Sequence, residues 1–199
     1  MIAVAAVLSY LIGAIPSGYL LFRSSENEDI RRFGSGATGA TNVLRLKGWR
    51  LAIPVALMDL AKGFVPSIVI LGVSGDPVLA AGCASLAVLG HCFPVYIGFR
   101  GGKGVATAAG AMFAIAPLAA CGSLAVFVAT VALSRYISLA SLLAAALFPL
   151  FLALFHVPTP VLLVSLPILV IILVRHAGNI GRLARGTERK FGRRERPAP

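Results

Sequence analysis

Three polar stretches hold most of the residues of this 199-residue chain whose types and spacing could do chemistry. The first, RRFGSGATGATNVLRLKG, interleaves Gly34, Gly36 and Gly39 with Ser35, Thr38, Thr41 and Asn42. Glycine frees the backbone to fold back on itself, and hydroxyl and amide groups supply donors, so a segment of this kind can wrap an anion. Arg45 follows Thr41 and Asn42 at helical spacing. A short amphipathic helix would then aim Arg45 and Asn42 at one ligand. A plain solvated connector would need neither so many glycines nor this concentration of small donors.

The second stretch, GHCFPVYIGFRGGKGVATAAG, sets Gly101, Gly102, Lys103 and Gly104 directly before an apolar helix expected from about Val105. The free N–H groups of a helix start and the positive end of its dipole meet there. With one mobile ammonium, this composition suits a phosphate cradle. It is not a Walker A loop, because Ile97 stands five before Gly102 and Gly104 replaces the Ser or Thr that would hold magnesium, which argues against ATP hydrolysis. His91, just upstream near the end of a span, is costly there unless it has a partner or a task, so a structural and a ligand-binding histidine are both open. In the third stretch, RHAGNIGRLARGTERKFG, His176 and Asn179 are spaced to share one face if the helix continues past the membrane surface, and Glu188 lies among arginines. Asp59 and Lys62 have the same spacing inside the second span, where Pro54 fits the first helical turn. A buried ion pair and the charged wall of a polar cavity both account for them.

The elements that must position these residues are membrane helices. The chain is 58% hydrophobic and 13% charged, with a mean hydropathy of +0.92, whereas soluble domains are about one quarter charged. The reading is a single integral membrane domain over 1–199, with 186–199 expected as a flexible basic tail. The first 22 residues lack a basic n-region, and Ile2 to Phe22 is too long for a signal-peptide core, so this stretch is read as a retained span. Further spans are expected at 51–73, 78–97, 137–155 and 159–174, with breaks at Gly72–Pro77 and His156–Pro160. As one helix Val105 to Leu133 would reach roughly 43 Å, more than a bilayer core needs, and Pro117 and Gly122 interrupt it, so two crossings are expected.

Seven spans put the basic segments on one side and leave only Asp76 and His156 opposite. The positive-inside rule then predicts an all-α, seven-helix protein with its N-terminus outside and its C-terminus cytoplasmic. The net charge of +11 is accordingly read as topology determinants and contacts to anionic headgroups, not as a nucleic-acid site. Cys83, Cys92 and Cys121 lack CxxC spacing and are expected as unpaired thiols. Few carboxylates and no paired histidines occur in the motifs, so neither a metal nor a cofactor is expected. A GxSxG nucleophile elbow is absent, since Gly34-Ser35-Gly36 lacks its spacing.

Two Gly-rich cradles, basic side chains, a serine, a histidine and asparagines set against lipid suit a substrate with a phosphate head and a greasy tail. The segments GAIPSGYLLFR, FGSGATGATNVLR, DLAKG, GHCFPVYIGFRGGKGVAT and RHAGNIGRLARGTE occur in order along nearly the whole chain. In them the chain resembles the bacterial acyl-phosphate:glycerol-3-phosphate acyltransferase family, PlsY. One departure is Ala37, where that family usually has Asn after Gly-Ser-Gly. The resemblance implies a multi-pass enzyme of the bacterial cytoplasmic (inner) membrane with its active site facing the cytoplasm. Its expected reaction moves a fatty acyl group from acyl phosphate to the sn-1 hydroxyl of glycerol 3-phosphate, giving lysophosphatidate and phosphate, the first step of phospholipid synthesis. Acyl phosphate, glycerol 3-phosphate and membrane lipid are the implied partners, and the oligomeric state stays open, a monomer being compatible.

By the same resemblance Ser35, Arg45, His176 and Asn179 are important for activity, and Gly101, Gly102 and Gly104 bind glycerol 3-phosphate. The residues themselves add Lys103 to the catalytic set and Gly34, Gly36, Thr41, Asn42 and His91 to substrate binding. An acyl phosphate is an anhydride with a good leaving group, so the protein need mainly place two anions together and stabilise charge on the carbonyl oxygen. Arg45 and Lys103 would offset phosphate repulsion, Ser35 or Asn179 would donate to the oxyanion, and His176 would orient or deprotonate the hydroxyl, unless a substrate phosphate oxygen is the base. The HxxxxD box of other glycerolipid acyltransferases is absent, because Tyr96, Val161 and Gly181 stand five after His91, His156 and His176. A transporter of organic phosphates with a midplane site is the alternative. Against it, the polar motifs gather at one membrane face and no inverted repeat is visible.

Overall fold

A computed structural model describes residues 2–192; Arg193, Arg194 and Arg196 of the expected basic tail lie outside the described residues. Ten α-helices follow one another: α1 (Ile2–Gly13), α2 (Ser17–Glu26), α3 (Ala40–Lys47), α4 (Trp49–Ser74), α5 (Pro77–Cys92), α6 (Val105–Ile115), α7 (Pro117–Ser134), α8 (Ile137–Leu154), α9 (Thr159–Arg175) and α10 (Ala177–Ala184). Five segments are long and apolar enough to cross a membrane, Ile2–Glu26, Trp49–Ser74, Pro77–Ile97, Pro117–Ser134 and Ile137–Leu154. The helices α9 and α10 pass the same test only when taken together, across a bend of 55°. Apolar side chains cover the outside, with Val73 and Leu133 81% and 89% exposed, as expected where lipid is the solvent.

The helix boundaries follow local chemistry. Asp76 caps α5, its Oδ1 accepting from the Val78 and Leu79 amides at 2.8 and 3.3 Å, and Pro77 sits in the first turn, where its missing N–H costs nothing. Pro117 does the same for α7, and the non-helical Ala116 before it ends α6. The expected division of 105–133 therefore occurs, but unequally: the 11 residues of α6 rise about 16 Å, half a bilayer core.

Two expectations are corrected, and a third is refined. The expected first span is present as Ile2–Glu26, but Pro16 carries no amide for a continuous ladder and divides it between Gly13 and Ser17. Pro54 does not start α4, which begins at Trp49, so Pro54 lies inside it. The last helix does not run straight on past Arg175 but turns by 55° at His176.

Small residues let these helices meet backbone to backbone. A Cβ on Gly63 would stand 1.9 Å from the Thr107 carbonyl oxygen, and one on Gly110 2.0 Å from that of Leu60, which locks α4 against α6. Ala84, Val88 and Cys92 of α5, Ala108 and Met112 of α6, and Ile168 and Ile172 of α9 form the largest buried cluster. The polar connections before α4, before α6, before α8 and after α9 all bond to one another, so they share one end of the bundle. Arg31 Nη1 donates to the Ile97 carbonyl at 2.6 Å, Lys103 Nζ to Asn179 Oδ1 at 2.6 Å, and the Phe191 amide to the Arg135 carbonyl at 2.7 Å.

Candidate active site

The first loop is folded around one side chain. Asn42 Oδ1 accepts the Ser35 amide at 2.9 Å, while its Nδ2 donates to the carbonyls of Phe33 and Ala37 at 3.1 and 2.9 Å. Gly34, at φ 60°, passes so close that a Cβ there would lie 2.3 Å from Asn42 Oδ1. Asn42 thus borders the site but spends its carboxamide on the loop, contrary to the expectation that it points with Arg45 at a ligand. Asp29 anchors the start of the loop: it accepts the Arg31 amide at 2.9 Å and pairs with the Arg31 guanidinium, whose hydrogen bond holds the carboxyl below its ordinary pKa. The α3 helix that follows turns Thr41 and Arg45 toward the interior beside Ser35.

In the second loop the glycines do something other than present free amides. The Gly101 and Gly102 N–H groups close the end of α5 by donating to the carbonyls of Cys92 and His91 at 3.2 and 3.1 Å. Their own carbonyls accept from Arg175 Nη2 and Nε at 3.0 and 2.9 Å, with the guanidinium 5.3 Å above the Phe93 ring. A Cβ on Gly102 would stand 2.0 Å from His91 Nε2, so only glycine lets the loop lie on that ring. What remains directed at the site is Lys103 and the first turn of α6, Gly104, Val105 and Ala106. The helical ladder there begins with the Ala108 amide on the Gly104 carbonyl, leaving the first-turn amides outside it.

Beneath this loop the polar residues of the second span are paired. Lys62 Nζ is 2.9 Å from Asp59 Oδ1 and donates to the Ile15 carbonyl, also at 2.9 Å, at the break between α1 and α2. His91 Nδ1 lies 3.6 Å from the same Asp59 oxygen. The buried ion pair expected from the Asp59–Lys62 spacing is present, and of the two residues Asp59 borders the cavity.

The third stretch completes the ring. His176 sits at the bend, 2% exposed, with Nδ1 held 2.8 Å from the Ile172 carbonyl, which assigns the ring hydrogen to Nδ1 and leaves Nε2 bare in the neutral form. Asn179 bridges Lys103 to Glu188, whose Oε1 accepts from Asn179 Nδ2 at 2.7 Å and Ser138 Oγ at 2.9 Å, and whose Oε2 accepts from Arg182 Nε at 2.7 Å. Burial works to raise the Glu188 pKa, but the hydrogen bonds from Asn179, Ser138 and Arg182 bring it below its ordinary value. Burial dominates at Lys103 and lowers its pKa to about 8, against the pull of the Glu188 carboxylate and with the help of the Arg45, Arg182 and Arg175 charges. The described part of the expected tail is docked: Phe191 meets Trp49 edge to face at 5.9 Å, and Lys190 stands 5.5 Å over Tyr136.

These pieces enclose one cavity of about 440 Å³. Ser35, Thr41, Asn42, Arg45, His91, Lys103, Gly104, His176 and Asn179 line it together; Gly34, Gly36, Gly101 and Gly102 do not and serve to shape the loops behind it. Sequence reasoning missed Arg175 as the clamp on the second loop and Ser138 as a partner of Glu188. Arg175 adjoins His176 and could have been suspected; nothing local marks Ser138.

A membrane-embedded helical bundle whose largely apolar chamber carries Arg45, Lys103 and neutral hydrogen-bonding side chains at one end is the class that this geometry defines. A family profile described as glycerol-3-phosphate acyltransferase matches residues 3–186. Among similar proteins, the glycerol-3-phosphate acyltransferase of Geobacter sulfurreducens is 46% identical, over 92% of this chain and 94% of its own. That of Syntrophotalea carbinolica is 44% identical over the same shares. A crystal structure of PlsY, an integral membrane glycerol 3-phosphate acyltransferase, in its glycerol 3-phosphate form superposes with a TM-score of 0.92 at 38% identity, covering 96% of each chain. Its lysophosphatidic acid form gives 0.89 at 37% identity, over 96% of this chain and 95% of that one. The chain belongs to the glycerol-3-phosphate acyltransferase family, PlsY.

Proposed function

We propose that this protein transfers a fatty acyl group from acyl phosphate to the sn-1 hydroxyl of glycerol 3-phosphate, releasing lysophosphatidate and inorganic phosphate. The observation that carries the reading is the convergence of Ser35, Arg45, Lys103, His176 and Asn179, from three separate stretches, on the mouth of one otherwise apolar cavity. The solved relatives, in glycerol 3-phosphate and lysophosphatidic acid forms, support it.

In this reaction the sn-1 oxygen attacks the acyl carbonyl carbon, the bond from that carbon to the phosphate oxygen breaks, and phosphate leaves with the electron pair. Arg45, Lys103 and the first turn of α6 hold the two anionic groups side by side. The Ser35 hydroxyl donates to the oxygen on which charge develops. His176 Nε2 orients the attacking hydroxyl and takes its proton. The chain crosses the bacterial inner membrane seven times, with α6 as the short fourth passage and the site on the cytoplasmic side, where the basic loops belong.

The test is lysophosphatidate formation by purified protein in detergent or lipid, from radiolabelled glycerol 3-phosphate with palmitoyl phosphate and palmitoyl-CoA in separate reactions. Product from the acyl phosphate alone is expected. Product from the thioester alone would overturn the donor assignment, and near-normal turnover by His176→Ala would transfer the base role to a substrate phosphate oxygen.

A further inference from the structure

The cavity does not end at its polar mouth. Along α8 its lining runs from Ser138, beside Glu188, to Leu152, and along α9 it runs back from His176 to Leu162. Fourteen residues separate the members of each pair. At about 1.5 Å per residue both helices give a depth of ~21 Å. Two elements reaching the same depth describe one channel, directed from the head-group residues toward the opposite end of the bundle. Ala108, Ala120, Ser141, Ala144 and Ser165 line it with small side chains, which leave space between helices that larger residues would fill.

At the far end apolar side chains pack together. Leu152, 1% exposed, packs with the buried Ala116 and Ala119 at the α6–α7 break, and Phe148 and Leu162 complete the same cluster. All three of Phe148, Leu152 and Leu162 face the cavity.

The geometry points to an acyl-chain ruler whose stop is the Phe148–Leu152–Leu162 cluster, the acyl carbonyl lying at the mouth and the terminal methyl against Leu152. The inference rests on the acyl-donor reading above and adds the length of chain selected. Carbon–carbon bonds of ~1.5 Å laid on a zigzag advance about 1.3 Å each, so ~21 Å takes a chain of about 16 carbons. A longer chain must push into the close-packed stop, and a shorter one leaves apolar wall without contact.

The experiment measures kcat/KM for octanoyl, lauroyl, palmitoyl and arachidoyl phosphate with wild type, Leu152→Ala and Ala144→Phe, each checked for helicity and monodispersity. Ala144 lies six residues from Ser138, about 9 Å down the channel. Palmitoyl phosphate is expected to be the best wild-type donor. Leu152→Ala should raise arachidoyl relative to palmitoyl by about tenfold, and Ala144→Phe should favour octanoyl over palmitoyl by at least as much. The two variants act in opposite directions, so misfolding of either cannot imitate the result. The same length profile in all three proteins would overturn the ruler while leaving the donor reading intact. Failure of folded wild type to use an acyl phosphate of any length would overturn both.

Discussion

Lys103 is the residue whose environment sets the conditions under which the site works. Its ammonium touches Asn179 and lines the polar mouth of the cavity, yet burial lowers its pKa to about 8. The free enzyme therefore loses this cation as pH rises through about 8, and kcat/KM for glycerol 3-phosphate should fall over that range in a pH profile. Bound phosphates favour the ammonium, so the corresponding fall in kcat belongs at higher pH. Lys103→Arg keeps its charge throughout and should remove the limb at a cost of tenfold or more, since a planar guanidinium cannot reproduce the bond to Asn179. A limb that persists in Lys103→Arg would assign it to another group. Stability runs the other way: an unfolded chain holds the Lys103 proton to higher pH than the folded one does, so this residue makes folding more favourable as pH climbs from about 8 toward the ordinary lysine value. Gly102 permits an equally direct test. In Gly102→Ala the new Cβ meets His91 Nε2, and KM for glycerol 3-phosphate should rise by an order of magnitude or more. Adding His91→Ala makes room for it, and the double variant should recover part of the loss. A double variant showing the full sum of the two defects would mean that Gly102 matters through contact with substrate and not through the ring beneath it.

At the scale of elements, the site depends on a segment after the last helix. Glu188 fastens α10 to the start of α8 through Ser138, and it holds Asn179 in the position that meets Lys103. Glu188→Gln keeps the shape but exchanges an acceptor shared by three donors for an amide whose nitrogen opposes one of them. Lysophosphatidate formation should drop by at least tenfold, and limited proteolysis should cut sooner near Arg189 and Lys190 as the segment lifts. Wild-type proteolysis with lost activity would instead limit the role of Glu188 to aligning Asn179. Little of this was visible in the chain alone. The motifs themselves were legible, because Ser35, Arg45, Lys103, His176 and Asn179 stand out against an apolar background and their spacing carries meaning. Backbone partners leave no such trace. That the Gly101 and Gly102 amides close α5, that Arg175 clamps their carbonyls and that Asn42 turns inward are consequences of helices packing together. The breaks divide in the same way: Pro117 announced one, whereas no proline marks the turn at His176, where Gly178 and Gly181 sit inside the helix that follows.

For the whole molecule, the contacts among loops constrain topology more tightly than hydropathy does. The connections before α4, α6 and α8 and the segment after α9 bond to one another, so the chain must return to the same face after each pair α4–α5, α6–α7 and α8–α9. Length and composition rejected α6 as a span by itself, yet without it the path from Lys103 to Arg135 would end on the wrong face. The seven passages proposed above include α6 for that reason, and they set Asp76 opposite the basic loops, as the charge distribution favours. Cysteine labelling in intact bacteria decides the orientation. In a variant with Cys83, Cys92 and Cys121 replaced by Ala, single replacements at Glu28, Ser74 and Thr187 report on three exposed positions. A membrane-impermeant maleimide should label Ser74→Cys in intact cells, and Glu28→Cys and Thr187→Cys only after permeabilisation. The reverse pattern would turn the site outward, away from cytoplasmic donors. Opposite behaviour of Glu28→Cys and Thr187→Cys would place the first loop and the Glu188 segment on different faces, which is incompatible with Asn179 meeting Lys103 and would dismantle the site itself.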